Sequence, residues 1–182
     1  MTESPAGSAE TQLHGALVEV RGLGVLLRGP SGIGKSEIAL ELVVRGHRLV
    51  ADDVVRLRRD DGGLLWGCAP ELIRHHLELR GIGIVYLPEL YGEQSVREEA
   101  ALDLICRLEP WREGAEVERV GLTRPTETLL QVALPRVTLP VRPSGSMATL
   151  VEVAVRDLER RREGPGAAER LDARLRREAD RT

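Results

Sequence analysis

Residues 29–36, GPSGIGKS, constrain the fold of this chain more than any other segment. They fit the pattern G-x-x-x-x-G-K-[ST], with the apolar run GVLLRG leading into them and the amphipathic run KSEIALELVVRG leading out. A loop of this kind joins the end of a buried strand to the first turn of a helix. The segment therefore predicts a strand–loop–helix unit within an α/β fold, that is, a P-loop-containing sheet flanked by helices.

The loop also carries Lys35, which is the only lysine in a chain that otherwise uses arginine. Backbone N–H groups in such a loop turn inward around phosphate oxygens, and the positive end of the helix dipole adds to their effect. The lysine offers the β- and γ-phosphates a compact, flexible charge, and the serine hydroxyl can ligate Mg²⁺. The motif leaves the fate of the γ-phosphate open, because switches, motors and kinases share it. The predicted nucleotide-binding residues are Gly29, Pro30, Ser31, Gly32, Ile33, Gly34, Lys35 and Ser36.

The composition excludes several other classes of protein. A chain of 182 residues suits one domain, and without phenylalanine its core must consist of Leu, Val, Ile and Ala. The net charge is −3, with acidic and basic residues mixed along the chain, so the sequence does not predict the basic patch that binds nucleic acid. No apolar run approaches the roughly 20 residues of a spanning helix, so we expect no membrane partner and a cytoplasmic protein. Cys68 and Cys106 lie far apart and are expected to be small buried hydrophobes.

The pattern along the chain predicts a disordered segment at residues 1–12 and one domain at 13–182. The predicted strands are 13–20, 24–29, 47–59 (running through Asp52 and Asp53), 64–69, about 84–87, 102–108, 128–134 and 136–141. Helices are expected at 35–46, 147–163 and 166–180, with a short helix or turn and a glycine-rich loop between residues 70 and 83. The last helix has only a thin apolar stripe, so it is either a frayed end or packs on another subunit.

Asp52 and Asp53 are the clearest candidates for further chemistry. They follow the apolar run LVA, where one carboxylate could approach a metal and the other could orient an acceptor hydroxyl. The alternative is a solvated pair at a strand end. Taken alone, His14 is a structural hydrogen-bonding residue, and Glu78 with Arg80 is an ordinary ion pair or a solvated face.

Taken in order, the segments HG, GPSGIGKSE, RGHRLVADD, APELI, LELRGIGI, ERVGL and PVRP resemble the catalytic domain of bacterial HPr kinase/phosphorylase. The resemblance runs from about residue 13 to the C-terminal helices. It implies a nucleotide-binding core like that of phosphoenolpyruvate carboxykinase, a hexameric assembly, and C-terminal helices used in subunit and HPr contacts. It implies phosphorylation of a serine of the phosphocarrier HPr by ATP or pyrophosphate, and a reverse reaction in which phosphate attacks phosphoserine to give pyrophosphate.

The resemblance also implies roles for individual residues. Lys35 and the loop amides would hold the donor phosphates, and Ser36 and Glu78 would hold Mg²⁺. Asp53 would be the general base, with His14 and Arg119 completing the site around the transferred phosphoryl group. Asp52 would be a second metal-binding or positioning carboxylate.

Two departures from the family pattern qualify these expectations. Only a dozen polar residues precede the HG segment, so a single-domain version is expected. The segment PVRPSGS keeps Arg142, which the family associates with dephosphorylation, but lacks the arginine expected after the second proline. The kinase direction is therefore favoured. The remaining alternatives are a similar kinase with another protein or small-molecule hydroxyl acceptor, and a nucleotide-dependent regulator without transfer activity.

The lone lysine gives a first testable prediction. Lys35→Arg keeps the charge but replaces a flexible ammonium with a planar fork that does not fit the loop. We expect nucleotide affinity, measured by isothermal titration calorimetry with MgATP, to fall by about tenfold or more. An unchanged affinity in Lys35→Arg would contradict a specific need for lysine at this position.

Overall fold

The computed structural model describes residues 10–112, 121–122, 124–142 and 145–179. Within these ranges the chain forms eleven strands, four α-helices and two short 3₁₀ turns at Glu71–Ile73 and Glu93–Ser95. The strands are β1 (Glu10–His14), β2 (Ala16–Val20), β3 (Leu23–Arg28), β4 (Arg48–Ala51), β5 (Val54–Arg59), β6 (Leu65–Cys68), β7 (His76–Leu79), β8 (Gly83–Tyr86), β9 (Glu99–Pro110), β10 (Thr126–Leu129) and β11 (Val132–Val141). The helices are α1 (Lys35–Val44), α2 (Leu87–Tyr91), α3 (Met147–Glu163) and α4 (Ala167–Ala179).

Nine of these strands form one mixed sheet around β9. Its order is β1-β5-β6-β9-β3-β2-β4, with β11 also paired to β9 and β10 paired to β11. β9 begins antiparallel to β6 and continues parallel to β3 and β11. β7 and β8 form a separate antiparallel hairpin. The carboxyl ends of β3, β9 and β11 therefore share one edge, which is where ligands bind in open α/β sheets.

The sheet folds over itself at a bend in one two-stranded ribbon, in which β1 and β2 run antiparallel to β5 and β4. β1 and β2 are separated only by Gly15, and β4 and β5 only by Asp52 and Asp53. β1 pairs with β5, and β2 pairs with β4, both antiparallel. The ribbon thus passes from one layer to the other at a corner made of these three residues.

Two apolar clusters hold the layers in place. One lies between the sheet and the helices and includes Val25, Leu42 and Val151, from β3, α1 and α3. The other fills the fold of the sheet and joins residues such as Leu17 and Leu57 from its two layers. The sequence prediction of an α/β fold with a sheet flanked by helices is confirmed, and the core is aliphatic, as the composition predicts.

Two predictions of a single continuous strand are wrong, because each of these segments is divided into two strands at the corner. The strand expected at 13–20 is divided at Gly15, whose N–H donates to the carbonyl oxygen of Asp53 at 3.1 Å. The strand expected at 47–59 is divided at Asp52 and Asp53. Asp53 has a φ of 65°, in the left-handed region that interrupts a strand and that Asp tolerates better than most residues.

Other differences concern hairpins. The strand expected at 128–134 is two strands, because Leu130 and Gln131 (φ 46° and 66°) turn the chain between β10 and β11. β7 lies where the sequence predicts only a turn and a loop, and it is held by its pairing with β8. Residues 10–12 belong to β1, because they pair with β5, although the composition predicts disorder through residue 12. Residues 1–9 lie outside the described ranges.

Several smaller expectations can be compared directly. The helices expected at 35–46, 147–163 and 166–180 correspond to α1, α3 and α4. Cys106 is fully buried and Cys68 half-buried, and both are free thiols. Burial raises the pKa of the Cys106 thiol to about 12, so it behaves as a small hydrophobe. None of the helices in the described ranges is long and apolar enough to cross a membrane.

The junction of β3 and β9 predicts the effect of a substitution. A Cβ on Gly24 would lie 2.0 Å from the carbonyl oxygen of Ala101, so Gly24→Ala must push the two central strands apart. We expect the free energy of unfolding, measured by urea denaturation, to fall by about 3 kcal/mol. Gly164→Ala is the control, because nothing lies within 4 Å of its Cβ position. Equal stability of the two variants would show that β3 and β9 separate at little cost.

Candidate active site

The glycine-rich loop leaves the carboxyl end of β3 and enters α1 at Lys35. Together with the ribbon corner and the start of the β7–β8 hairpin, it lines an open pocket. Because the corner lies beside the loop, side chains far apart in the sequence meet here. The lining residues are His14, Ser31, Gly32, Gly34, Lys35, Ser36, Glu37, Asp52, Asp53, Glu78 and Arg80.

Lys35 is the buried cation of this pocket, with 7% of its surface exposed. Its Nζ donates to the carbonyl oxygens of Gly29 and Pro30, each at 3.0 Å. Burial lowers the pKa of Lys35, and the nearby carboxylates of Asp52, Asp53 and Glu37 oppose that shift. An anion entering the pocket would gain a strong interaction, since this charge is shielded from water.

Ser36 and Asp52 form the inner polar pair of the site, with Asp52 buried and Ser36 half-buried. The hydroxyl of Ser36 donates to the carboxylate of Asp52, at 2.9 Å from Oδ2 and 3.1 Å from Oδ1. Asp52 is 5% exposed, and burial raises its pKa, whereas the hydrogen bonds from Ser36 and from the backbone N–H groups of Asp53 and Glu78 act in the opposite direction. The bond from Ser36 ties the ribbon corner to the first turn of α1, and the bond from Glu78 ties it to β7.

Asp53 and His14 form the exposed polar pair of the site. The left-handed backbone of Asp53 directs its carboxylate away from that of Asp52 and towards β1. Its Oδ1 lies 3.0 Å from Nδ1 of His14, and both side chains are about half exposed or more. An exposed carboxylate held by an imidazole beside a buried cation can accept a proton from a hydroxyl group that enters the pocket.

The oxygen donors of the pocket fit a hard divalent cation. Asp52, Ser36 and Glu78 offer carboxylate and hydroxyl oxygens, and Mg²⁺ prefers oxygen ligands. Within the described residues, no three His, Cys, Asp or Glu side chains form a closed metal cage. A site of few protein ligands suits Mg²⁺, because this ion usually keeps waters and takes further oxygens from substrate phosphates.

Most of the predicted site residues lie together. His14, Asp52, Asp53 and Glu78 line the pocket beside the glycine-rich loop. Arg142 lies elsewhere on the same sheet edge, with its guanidinium carbon 3.9 Å from the centre of the Trp111 ring. Arg119 lies outside the described residues.

Glu37 and Arg80 also line the pocket, although the sequence predicts a site role for neither, and Arg80 is the cation of the two. We expect from the sequence that it pairs with Glu78 or faces solvent, but no described carboxylate lies within ion-pair distance of it. Its guanidinium instead lies beside Gly32 of the loop. The available signal was its position in the turn that directly follows the strand carrying Glu78.

Comparisons with known proteins show which family this chain is similar to. A protein-family profile described as the HPr serine kinase C-terminal domain matches residues 6–175. The chain is 48% identical over 165 residues to an HPr kinase/phosphorylase of Geobacillus sp. (strain WCH70), covering 91% of this chain and 53% of that protein. The HPr kinase/phosphorylase of Bacillus subtilis (strain 168) is 45% identical with the same coverage. The chain thus spans about half the length of the curated relatives it matches.

A solved structure gives the same result. The HPr(Ser) kinase/phosphatase of Coxiella burnetii matches with a TM-score of 0.77 and 30% sequence identity. The match covers 84% of this chain and 93% of that one. The mixed sheet flanked by helices is therefore a fold that the two proteins share.

The burial of Asp52 predicts a pH-dependent difference in stability. Because its pKa is raised in the folded state, folding costs more as the pH rises above the usual aspartate value of 3.8. Asp52→Asn removes this cost and keeps an oxygen to accept the Ser36 hydroxyl. We expect the variant to be more stable than the parent at pH 7, with the difference shrinking towards pH 4. Urea denaturation at several pH values measures it.

The exposed neighbour supplies the control for this experiment. Asp53→Asn changes a carboxylate that is 63% exposed, so its effect on stability should lie within about 0.5 kcal/mol. If Asp52→Asn is less stable than the parent at pH 7, the carboxylate must be a net stabilising group, and the burial argument is wrong.

Proposed function

This chain belongs to the HPr serine kinase C-terminal domain family, and from that premise we propose that it is an ATP- and Mg²⁺-dependent kinase that phosphorylates a serine of HPr. Relatives named HPr kinase/phosphorylase support this choice of reaction and acceptor. The relatives are about twice as long as this chain, so the activity is proposed for the pocket that this chain contains.

The observation that carries the proposal is the meeting of two pairs at one pocket. Asp52 is buried and Ser36 half-buried beside Lys35, and Asp53 and His14 lie exposed at the same corner. The buried half suits a nucleotide phosphate with its metal, whereas the exposed half suits an acceptor arriving from outside. A nucleotide switch has no need of an exposed carboxylate fixed by an imidazole at this place.

The residues of the loop would bind and orient the donor. The loop from Gly29 to Gly34 would surround the phosphates, with Lys35 exchanging its bonds to Gly29 and Pro30 for bonds to phosphate oxygens. Ser36, Asp52 and Glu78 would hold Mg²⁺, which when bound neutralises charge on the phosphates. A nucleotide-binding core like that of phosphoenolpyruvate carboxykinase is part of this proposal.

Asp53 would act on the acceptor. Its carboxylate accepts the proton of the serine hydroxyl as the serine oxygen bonds to the γ-phosphorus and the bond to ADP breaks. His14, 3.0 Å away, fixes the position of the carboxylate. In the reverse direction phosphate attacks phosphoserine, Asp53 returns the proton to the serine oxygen, and pyrophosphate leaves.

The proposal also covers the balance between the kinase direction and the reverse, phosphorylase direction. Arg142 rests on Trp111 and is not among the residues that line the pocket. Arg119 would complete the site around the transferred group, as the family resemblance implies. We favour the kinase direction, because PVRPSGS departs from the family pattern at the residues that follow Arg142.

Assembly and location follow from the same proposal. α4 has no buried residue, and Leu171 and Leu175 are 55% and 57% exposed on it. Such a helix suits a contact with another subunit or with HPr, in line with a hexamer. Use of ATP and HPr would place the protein in the cytoplasm.

Asp53→Asn tests the proposal. The protein is incubated with MgATP and HPr from the same organism, and phosphoserine is measured by mass spectrometry. We expect the parent to transfer phosphate and Asp53→Asn to lose about a hundredfold or more of that rate, because the amide cannot accept the proton. Nucleotide affinity, measured by calorimetry, should stay within about twofold.

The other outcomes separate the alternatives. A parent protein that binds MgATP and transfers nothing to HPr, but transfers to another hydroxyl compound, would be a kinase with a different acceptor. Nucleotide-dependent partner binding that survives Asp53→Asn, without any transfer by the parent, would identify a regulator. Full transfer by Asp53→Asn would show that Asp53 is not the base.

A further inference from the structure

We propose that Arg80 is a second phosphate-binding cation of this pocket and that it contacts the γ-phosphoryl group that is transferred. This inference rests on the proposed function, since it assigns a further residue to the same site. It concerns a side chain whose sequence context predicts only an ion pair or a solvated face.

The position of Arg80 relative to the loop is the first argument. One guanidinium nitrogen of Arg80 lies 2.9 Å from where a Cβ on Gly32 would stand. Gly32 has a φ of 77° and no side chain, so the guanidinium can rest directly against the middle of the loop. Arg80 is therefore placed against the same backbone that would surround the phosphates.

The absence of a protein partner is the second argument. Arg45, Arg58 and Arg161 each pair with a carboxylate at 2.9 Å or less. Among the described residues no carboxylate lies within 4.0 Å of the Arg80 guanidinium, although Glu78 precedes it by two residues. The guanidinium N–H groups are therefore available to an anion, and their fork geometry matches phosphate oxygens.

The charge of the pocket is the third argument. Four carboxylates line it (Glu37, Asp52, Asp53 and Glu78) against the two cations Lys35 and Arg80. A triphosphate adds further negative charge, which must be offset where the phosphoryl group moves. Lys35 is bonded to the start of the loop, whereas Arg80 lies over its middle. The two cations thus approach the phosphate chain from different places.

The position of Arg80 in the hairpin would let its side chain adjust to a bound phosphate. Arg80 occupies the exposed turn between β7 and β8, beyond the buried Leu79. A long side chain at such a turn can move towards a ligand without disturbing the core. The core contacts of the hairpin are made by Leu77 and Leu79, which anchor β7.

Binding of two nucleotides tests the assignment without any protein acceptor. In the presence of Mg²⁺, calorimetry compares ADP with the non-hydrolysable ATP analogue AMP-PNP. For Arg80→Met we expect affinity for AMP-PNP to fall by about 10- to 100-fold, the usual effect of a lost charged hydrogen bond. Affinity for ADP should change by less than about twofold, because ADP lacks the γ-phosphate. Arg80→Lys should give an intermediate loss, since it keeps a charge but not the fork.

Arg156→Met is the matched control, because Arg156 is an exposed arginine of α3 away from the pocket. It should leave both affinities unchanged. Thermal denaturation of Arg80→Met should match the parent, since the side chain is exposed.

Three results would overturn the assignment. An equal loss for ADP and AMP-PNP would mean that Arg80 supports the loop as a whole, and no loss for either would mean that it does not bind phosphate. A parent protein that binds neither nucleotide would overturn both this assignment and the proposed function. If the parent binds AMP-PNP but does not phosphorylate HPr, the proposed acceptor fails alone and the comparison of nucleotides still decides the role of Arg80.

Discussion

The site depends on one bend in a two-stranded ribbon. β1–β2 and β4–β5 pair along their lengths and change layer together, at Gly15 on one side and at Asp52 and Asp53 on the other. The bend is possible because the two layers can be filled from within by aliphatic side chains. It places one carboxylate inside the fold and the next one outside it. A straight ribbon would put the two aspartates on opposite faces of a sheet.

The two aspartates differ in how deeply their side chains are buried. Asp52 is held by Ser36 and by backbone N–H groups, so its position is fixed although burial opposes its charge. Asp53 remains in solvent, where an acceptor can reach it. Lys35 is likewise bonded to carbonyl groups of its own loop. Binding of a phosphate would therefore replace these hydrogen bonds of Lys35 with hydrogen bonds to phosphate oxygens. In the free pocket, the bonds to the loop carbonyl groups hold the ammonium group in place.

The sequence predicts the loop and α1 well because both are local. The glycine spacing and the apolar face of the helix are properties of neighbouring residues. The corner could not be predicted in this way, since the pattern of HRLVADDVVRLRR is that of a continuous strand. What breaks it is the pairing of β4 and β5 with different partners and the left-handed backbone of Asp53. The same holds for β7, which exists through its pairing with β8. His14 and Glu78 line the pocket but have no local sequence pattern of their own, so only the family resemblance points to them.

The contrast between Lys35 and Arg80 follows from where each is placed. Lys35 is buried at the start of a helix, in a space lined by backbone carbonyl groups, where a compact ammonium with rotatable donors fits. Arg80 comes from an exposed turn and meets the loop at Gly32, where a planar group can lie flat against the backbone. A guanidinium at position 35 would need more room than the loop leaves. An ammonium at position 80 would be strongly hydrated and would offer no fork for a phosphate. Burial thus favours lysine at position 35, and exposure beside the glycine-rich loop favours arginine at position 80.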